Sequence, residues 1–147
     1  MFMKRFFAPY NFPVSVDVAL LLLRLSCGIA FILHGWGKIQ TPMGWMGPDS
    51  FIPPIFQALA AIAEFGGGIA LVLGLFTRLA ALGIIVTMAV AVYVHAVMGG
   101  DPFVNPTGGK SYELAANFLC IAIVFLAAGA GRFSIDKGIF GDRSNLR

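Results

Sequence analysis

Six ionisable side chains, Arg24, His34, Lys38, Glu64, His95 and Glu113, lie inside four stretches that are otherwise apolar enough to dissolve in lipid. An ionisable group in a membrane span costs about 3 kcal/mol or more unless it is paired or faces a wet cavity. Six such groups predict a polar site built inside a bundle. The remaining composition points the same way: the 147 residues are 59% hydrophobic and 12% charged, with a mean hydropathy of +0.87. Soluble domains carry about 25% charged residues, and a chain this short cannot hide so much apolar surface from water. The solvent is therefore the lipid bilayer. A net charge of +3 from scattered residues excludes a nucleic-acid footprint.

The apolar stretches run from about Val16 to Ile39, Pro54 to Phe76, Leu79 to Met98 and Tyr112 to Ala130. Each is near the ~20 residues that a helix needs to cross the hydrocarbon layer. Backbone amides in lipid must be satisfied within their own segment, and no alternating strand pattern is present, so all four are read as helices. The fold class is all-α, an integral membrane four-helix bundle forming a single domain over residues 1–147. The Pro- and Gly-rich segments Met43 to Pro54 and Gly99 to Gly109 read as loops long enough to fold over a helix mouth, whereas Thr77-Arg78 implies a tight hairpin. Within Gly66-Gly67-Gly68 small side chains let a neighbouring helix come close.

With four spans, Lys4, Arg5, Arg78, Arg132, Lys137, Arg143 and Arg147 fall on one side, and the opposite loops hold little beyond Lys38 and Lys110. The positive-inside rule then puts both termini in the cytoplasm of a multi-pass inner (plasma) membrane protein. Pro9, Pro13, Asp17 and Arg24 interrupt what a cleaved signal peptide needs to be apolar. Met1 to Pro13, with its aromatic residues and two cations, reads instead as an interfacial anchor.

At 1.5 Å per residue Arg24 and Glu64 lie near the midplane, and His34, Lys38, His95 and Glu113 lie in the outer half. One outward-facing polar pocket would collect them. Arg24, Gly28, Phe31, His34, Gly35 and Lys38 share about a third of the first helix, and Glu113, Asn117 and Cys120 share a face of the last.

These residues fall into the pattern Arg24-x3-Gly28-x2-Phe31-x2-His34-Gly35-x2-Lys38, followed by Glu64-x2-Gly67-Gly68-x2-Leu71-x2-Gly74-x2-Thr77-Arg78. Ala91-x3-His95, Gly109-x3-Glu113 and Gly129-x-Gly131-Arg132-x-Ser134-x-Asp136 complete it. In order and spacing, from about Leu20 to Asp136, the chain resembles the DoxX family of small four-span membrane proteins; Ala130 stands where that family often has proline. The resemblance implies a membrane oxidoreductase subunit, with relatives in thiosulfate:quinone oxidoreductases and in assemblies that handle thiol and oxidative stress.

Individual residues admit two readings each. Arg24 and Glu64, at similar depth on successive helices, are expected to be partners, either as an ion pair that fixes packing or as ligand contacts. Lys38 contacts ligand or snorkels to the interface. His34 and His95 pass protons to a bound carbonyl compound or are hydrogen-bonded packing. Glu113 accepts from His95 or Lys38, or stabilises a helix N-terminus. Asn117 bonds across helices or touches ligand. Cys27 and Cys120, at matching depth, form a thiol pair or serve as small hydrophobes. Without Cys-x-x-Cys, paired histidines or a phosphate-cradling glycine loop, neither a metal nor a nucleotide cofactor is indicated.

Two functions follow. In the first, the chain is a membrane subunit of a quinone-linked or thiol/sulfur-related oxidoreductase system. It binds a small apolar or quinone-like ligand between aromatic walls from Phe31, Trp36 and Phe65, with His34, His95 and Glu113 managing protons and Arg24, Lys38, Glu64 and Asn117 lining the site. A redox partner protein is expected to supply electrons, and homo-oligomerisation is left open. In the alternative it is a non-catalytic membrane anchor or small-solute permease module. The orientation is testable by accessibility labelling: thiols introduced at Ser50 and Asn105 should react from outside the cell and one at Asn145 only from inside. The reverse pattern would move the histidines to the cytoplasmic half.

Overall fold

A computed structural model describes residues 2–141, leaving Arg143, Asn145 and Arg147 outside the described residues. All regular structure among the described residues is helical: α1 (Phe2–Phe7), α2 (Val14–Gln40), α3 (Pro54–Leu73), α4 (Thr77–Tyr93, continued by a π turn Val94–Met98), α5 (Glu113–Ala128) and α6 (Ile135–Phe140). Proline begins α3, where its missing N–H would be unpaired anyway, and proline also precedes both α2 and α3. The helices α2, α3 and α4 with its π turn are long and apolar enough to cross a membrane; α5, with 16 residues, is an apolar helix below that length. The helices that form the bundle, α2 to α5, match the expected spans to within a few residues at each end.

The bundle is assembled in chain order, α2 along α3, α3 along α4 and α4 along α5. Two glycines on α2 set the closeness of the first pair. A Cβ on Gly28 would lie 2.8 Å from the Gly68 carbonyl, and one on Gly35 would lie 2.5 Å from the Phe65 amide nitrogen. Of the Gly66-Gly67-Gly68 run it is Gly68 that makes the close approach, and Gly66 faces open space. Leu20, Cys27, Phe31, Leu71, Ile84, Met88 and Phe125 fill the bundle axis. Leu22, Leu33, Ile62, Val86 and Ile123 point outward, the belt of apolar side chains that a bilayer accepts and water does not.

At the end that carries the termini, here called the terminal end, polar side chains form a knot. Gly74 ends α3 in a left-handed conformation, and a Cβ there would collide with the Arg24 guanidinium. Arg24 donates from Nη1 to the Ala130 carbonyl at 2.9 Å and from Nη2 to the Phe133 carbonyl at 2.7 Å. Asp17 accepts from Arg132 Nε at 2.7 Å and from the Arg132 amide at 2.9 Å, and Arg78 donates to the Leu126 carbonyl at 2.8 Å. Phe76 is held at φ +47°, strained for a residue with a Cβ, and the Asp136 carboxylate receives its amide at 2.7 Å and that of Thr77 at 3.0 Å. The α3–α4 hairpin thus turns at Gly74 to Phe76, with Thr77 and Arg78 already inside α4.

This knot corrects the expected Arg24–Glu64 partnership. Arg24 leans toward the chain ends and spends its donors on carbonyls that follow α5, while Glu64 is claimed by another cation. The N-terminal aromatic segment docks on the same end: Phe7 stacks on Phe140 and meets Phe76 edge-on, and the Arg78 guanidinium lies over the Tyr10 ring. Asp136→Ala should strand two amides and leave the Phe76 strain unsupported. The expected loss is about 2 kcal/mol of stability, read by thermal unfolding in detergent, because a lost helix cap alone is worth ~1 and an unpaired buried donor more. Melting unchanged from the parent would show that the carboxylate holds nothing in place.

Candidate functional site

At the opposite end of the bundle, crossed by the α2–α3 and α4–α5 loops, four helices surround a cavity of about 210 Å³. From α2 come Phe31, His34 and Lys38, from α3 Glu64, from α4 and its π turn Met88, Ala91 and His95, and from α5 Leu114, Ala115 and Phe118, with Ser111 just ahead of α5. The spacing of Phe31, His34 and Lys38 puts all three on one flank of α2, so a single helix supplies wall, base and cation.

Lys38 and Glu64 form the base of this site, Glu64 buried and Lys38 half-buried. Lys38 Nζ donates to both carboxylate oxygens of Glu64 at 2.6 Å and lies 4.5 Å from the centre of the Trp45 ring. The Glu64 side chain is 2% exposed, so a carboxylate stripped of water is matched by an ammonium and the ion pair is covered by an aromatic face. Trp45 is in turn fixed: its Nε1 donates to the Gln57 carbonyl at 3.0 Å, and the buried Gln57 side chain bonds the Met46 amide and the Ile52 carbonyl. The loop that reads as irregular in sequence is fastened over α3 by one glutamine.

His95 is presented by the π turn Val94–Met98, a helix irregularity that recurs at functional sites because it shifts one side chain out of register. Its Nδ1 lies 2.7 Å from Asp101 Oδ2, and the Asp101 amide donates to the His95 carbonyl at 2.9 Å, closing the loop back onto the turn. A carboxylate at Nδ1 favours the proton there and leaves Nε2 as the acceptor, the same arrangement that orients working histidines elsewhere. His34 is exposed on the α2 side of the cavity, its ring meeting Phe118 edge-on at 6.4 Å, and among the described residues no hydrogen bond to either of its nitrogens is recorded. Chemically the site offers one neutralised ion pair, one carboxylate-oriented imidazole and one uncommitted imidazole, set between aromatic and aliphatic walls.

Five expected site residues, Phe31, His34, Lys38, Glu64 and His95, come together around the cavity. Arg24 belongs to the terminal-end knot instead. Glu113 is the half-buried first residue of α5 and Asn117 is exposed one turn on, both outside the cavity lining; neither His95 nor Lys38 turns to Glu113, because Asp101 and Glu64 occupy them. Of the expected aromatic walls only Phe31 contributes, since Trp36 and Phe65 pack on each other at 5.7 Å beside α2 and α3 while Phe118 closes the cavity. Cys27 is buried in the core and Cys120 exposed, both as free thiols, so the interhelical pair does not form. Sequence reasoning missed Asp101, Trp45 and Phe118; the one available signal was an acid bracketed by Gly100 and Pro102 six residues after a membrane-embedded histidine. Among the described residues no three of His, Cys, Asp and Glu converge as a metal site would require.

The DoxX family model matches residues 19–96. An uncharacterized protein of Haemophilus influenzae is 33% identical over 123 residues, covering 82% of this chain and 90% of its own length. The Escherichia coli inner membrane protein YqjF is 31% identical, with 82% and 92% covered. A Bacillus subtilis relative bearing the name "Putative oxidoreductase CatD" is 27% identical, with 89% and 94% covered. No solved structure matches the chain.

Proposed function

The chain belongs to the DoxX family and is a multi-pass inner membrane protein, and from that premise we propose that it is the membrane subunit of a quinone-linked or thiol/sulfur-linked oxidoreductase system. Its ligand on this reading is a small quinone-like carbonyl compound held in the cavity at the loop end, which faces outward if the basic residues keep the termini in the cytoplasm. The name of the Bacillus relative supports the oxidoreductase class. The observation that carries the proposal is the convergence of His34, the His95–Asp101 pair and the Lys38–Glu64 pair on one cavity walled by Phe31 and Phe118. A dry engineered cavity of ~150 Å³ accepts benzene, so about 210 Å³ admits one substituted ring and little more.

Reduction of a quinone to its quinol takes two electrons and two protons. The electrons come from a redox partner protein. The protons come from water and pass through the imidazoles: His95, its Nδ1 held by Asp101, takes up a proton at Nε2 and hands it to a ring oxygen, and His34 relays the other from α2. Lys38, already neutralised by Glu64, contributes a donor near the developing oxyanion without a free charge in the ground state. The terminal-end knot takes no part in this chemistry and holds the helices in register.

The test is quinol formation in membrane vesicles that contain the native partner, with the chain supplied as parent, His34→Gln or His95→Gln. Each variant should lose about 10²-fold in turnover while melting like the parent, since positioned acid–base groups contribute that much. Full turnover in both variants would make the imidazoles packing residues, and no turnover with the parent chain would leave the anchor or permease reading in place.

A further inference from the structure

The bundle is open along one side. Because the helices pack in chain order, closure requires α5 to meet α2, and the backbones of these two scarcely approach each other. Toward the loop end what joins them is the Phe118 ring, tilted against Phe31 at 4.8 Å and meeting His34 edge-on at 6.4 Å between centroids. On the loop side of that contact lies the cavity. The loop end is crossed by the α2–α3 loop, fastened through Gln57 and resting Trp45 on Lys38, and by the α4–α5 loop, fastened by Asp101 and by the Tyr112 amide bonded to the Pro102 carbonyl at 3.3 Å.

Both edges of the open side carry polar groups that a lipid-facing surface ordinarily excludes. On α2, Gly28 and Gly35 define the flank pressed on α3, and His34 sits exposed on the other flank. On α5 the inward face runs through Ala115, Phe118, Ala122 and Phe125, and Asn117 lies exposed one step farther round than the cavity-lining Leu114. Leu114, exposed and lining the cavity, stands at the same edge. An imidazole and a carboxamide facing hydrocarbon are costly unless a polar group reaches them. Here they flank a gap that leads to a ring-sized cavity.

We infer that the cavity is a lateral site entered from the bilayer between α2 and α5, so that its ligand is a membrane-dissolved amphiphile, a polar carbonyl-bearing ring on an aliphatic tail, and not an aqueous solute. The ring passes His34 and Asn117 as it enters, and the tail stays in lipid against the open side. This inference rests on the proposed function, because it takes the cavity to be a ligand site, and it adds where the ligand comes from and what the rest of that ligand must be. A ring-sized cavity in contact with lipid suits a tailed molecule, because the tail need not be enclosed.

The test uses the full chain in lipid nanodiscs and a dimethoxy-methyl-benzoquinone whose alkyl tail carries a photoreactive diazirine next to the ring. Irradiation followed by peptide mapping should place the label on the α2 segment Ile29–Lys38 and the α5 segment Glu113–Cys120, with loss of label when excess decyl-tailed benzoquinone competes. Asn117→Trp, which narrows the gap from a position outside the cavity lining, should slow competition by the decyl-tailed compound by about tenfold or more. Label confined to residues 41–53 and 99–112 would mean that the ring binds but enters from the loop end, and the lateral portal would be wrong while the proposed function stood. Label that excess competitor does not reduce would mean that no quinone site exists, and both readings would fall. If Asn117→Trp does not fold, the labelling map on the parent chain decides alone.

Discussion

A carboxylate inside a hydrocarbon-solvated bundle has to find a cation within reach of its own helix neighbours, and the Lys38–Glu64 pair is where this chain meets that requirement most directly. Glu64 is almost wholly buried, and both of its oxygens are taken by one ammonium at 2.6 Å. The pair can form only because α2 and α3 lie unusually close, which in turn needs Gly28, Gly35 and Gly68 to present no side chain at the contact. The aromatic cover from Trp45 needs the α2–α3 loop folded over the pair, and Gln57 fastens it there. Electrostatics, helix spacing and loop conformation are therefore three aspects of a single constraint.

The remaining charges divide by position along the bundle axis. At the terminal end Asp17, Arg24, Arg78, Arg132 and Asp136 bond largely to backbone groups, tying the segment after α5 to α2 and capping α4. Such bonds satisfy carbonyls and amides that lipid would leave unpaired, and they fix chain crossings. At the loop end the pattern differs. There one imidazole is oriented by a carboxylate, another is without a recorded partner among the described residues, and a cavity separates them. A bundle needing only stability would have no reason to keep such groups beside a ring-sized space, which is why the functional reading is attached to this end.

The spans were legible in sequence because hydropathy depends only on composition over about 20 residues, and α2 and α3 begin within two residues of their expected starts. The cluster of Phe31, His34, Lys38, Glu64 and His95 was legible too, since 1.5 Å per residue gives depth and 100° per residue gives the face within one helix. Depth does not say which way a long side chain leans. Arg24 and Glu64 were matched by depth, yet the guanidinium runs toward Gly74 and the carbonyls of Ala130 and Phe133, a direction set by a glycine fifty residues away in sequence. Asp101 and Trp45 lie in loops, where no period exists to place a side chain, and their roles depend on the π turn and on Gln57. Glu113 and Asn117 share a face of α5 as expected, but the azimuth of that face relative to the bundle is a tertiary property, and it turns out to point away from the buried face of Ala122 and Phe125.

The central claim is that the charges form two separate polar clusters, with Glu64 bound to Lys38 at one end and Arg24 engaged at the other. Double-mutant cycles on thermal stability test it most directly, pairing Glu64→Gln first with Lys38→Met and then with Arg24→Met. The account predicts a coupling of about 2 kcal/mol or more for Lys38 with Glu64, because removing Lys38 alone strands the buried Glu64 carboxylate. It predicts additivity within about 0.5 kcal/mol for Arg24 with Glu64, as for sites without shared partners. Strong coupling of Arg24 to Glu64, together with additivity of Lys38 and Glu64, would contradict it.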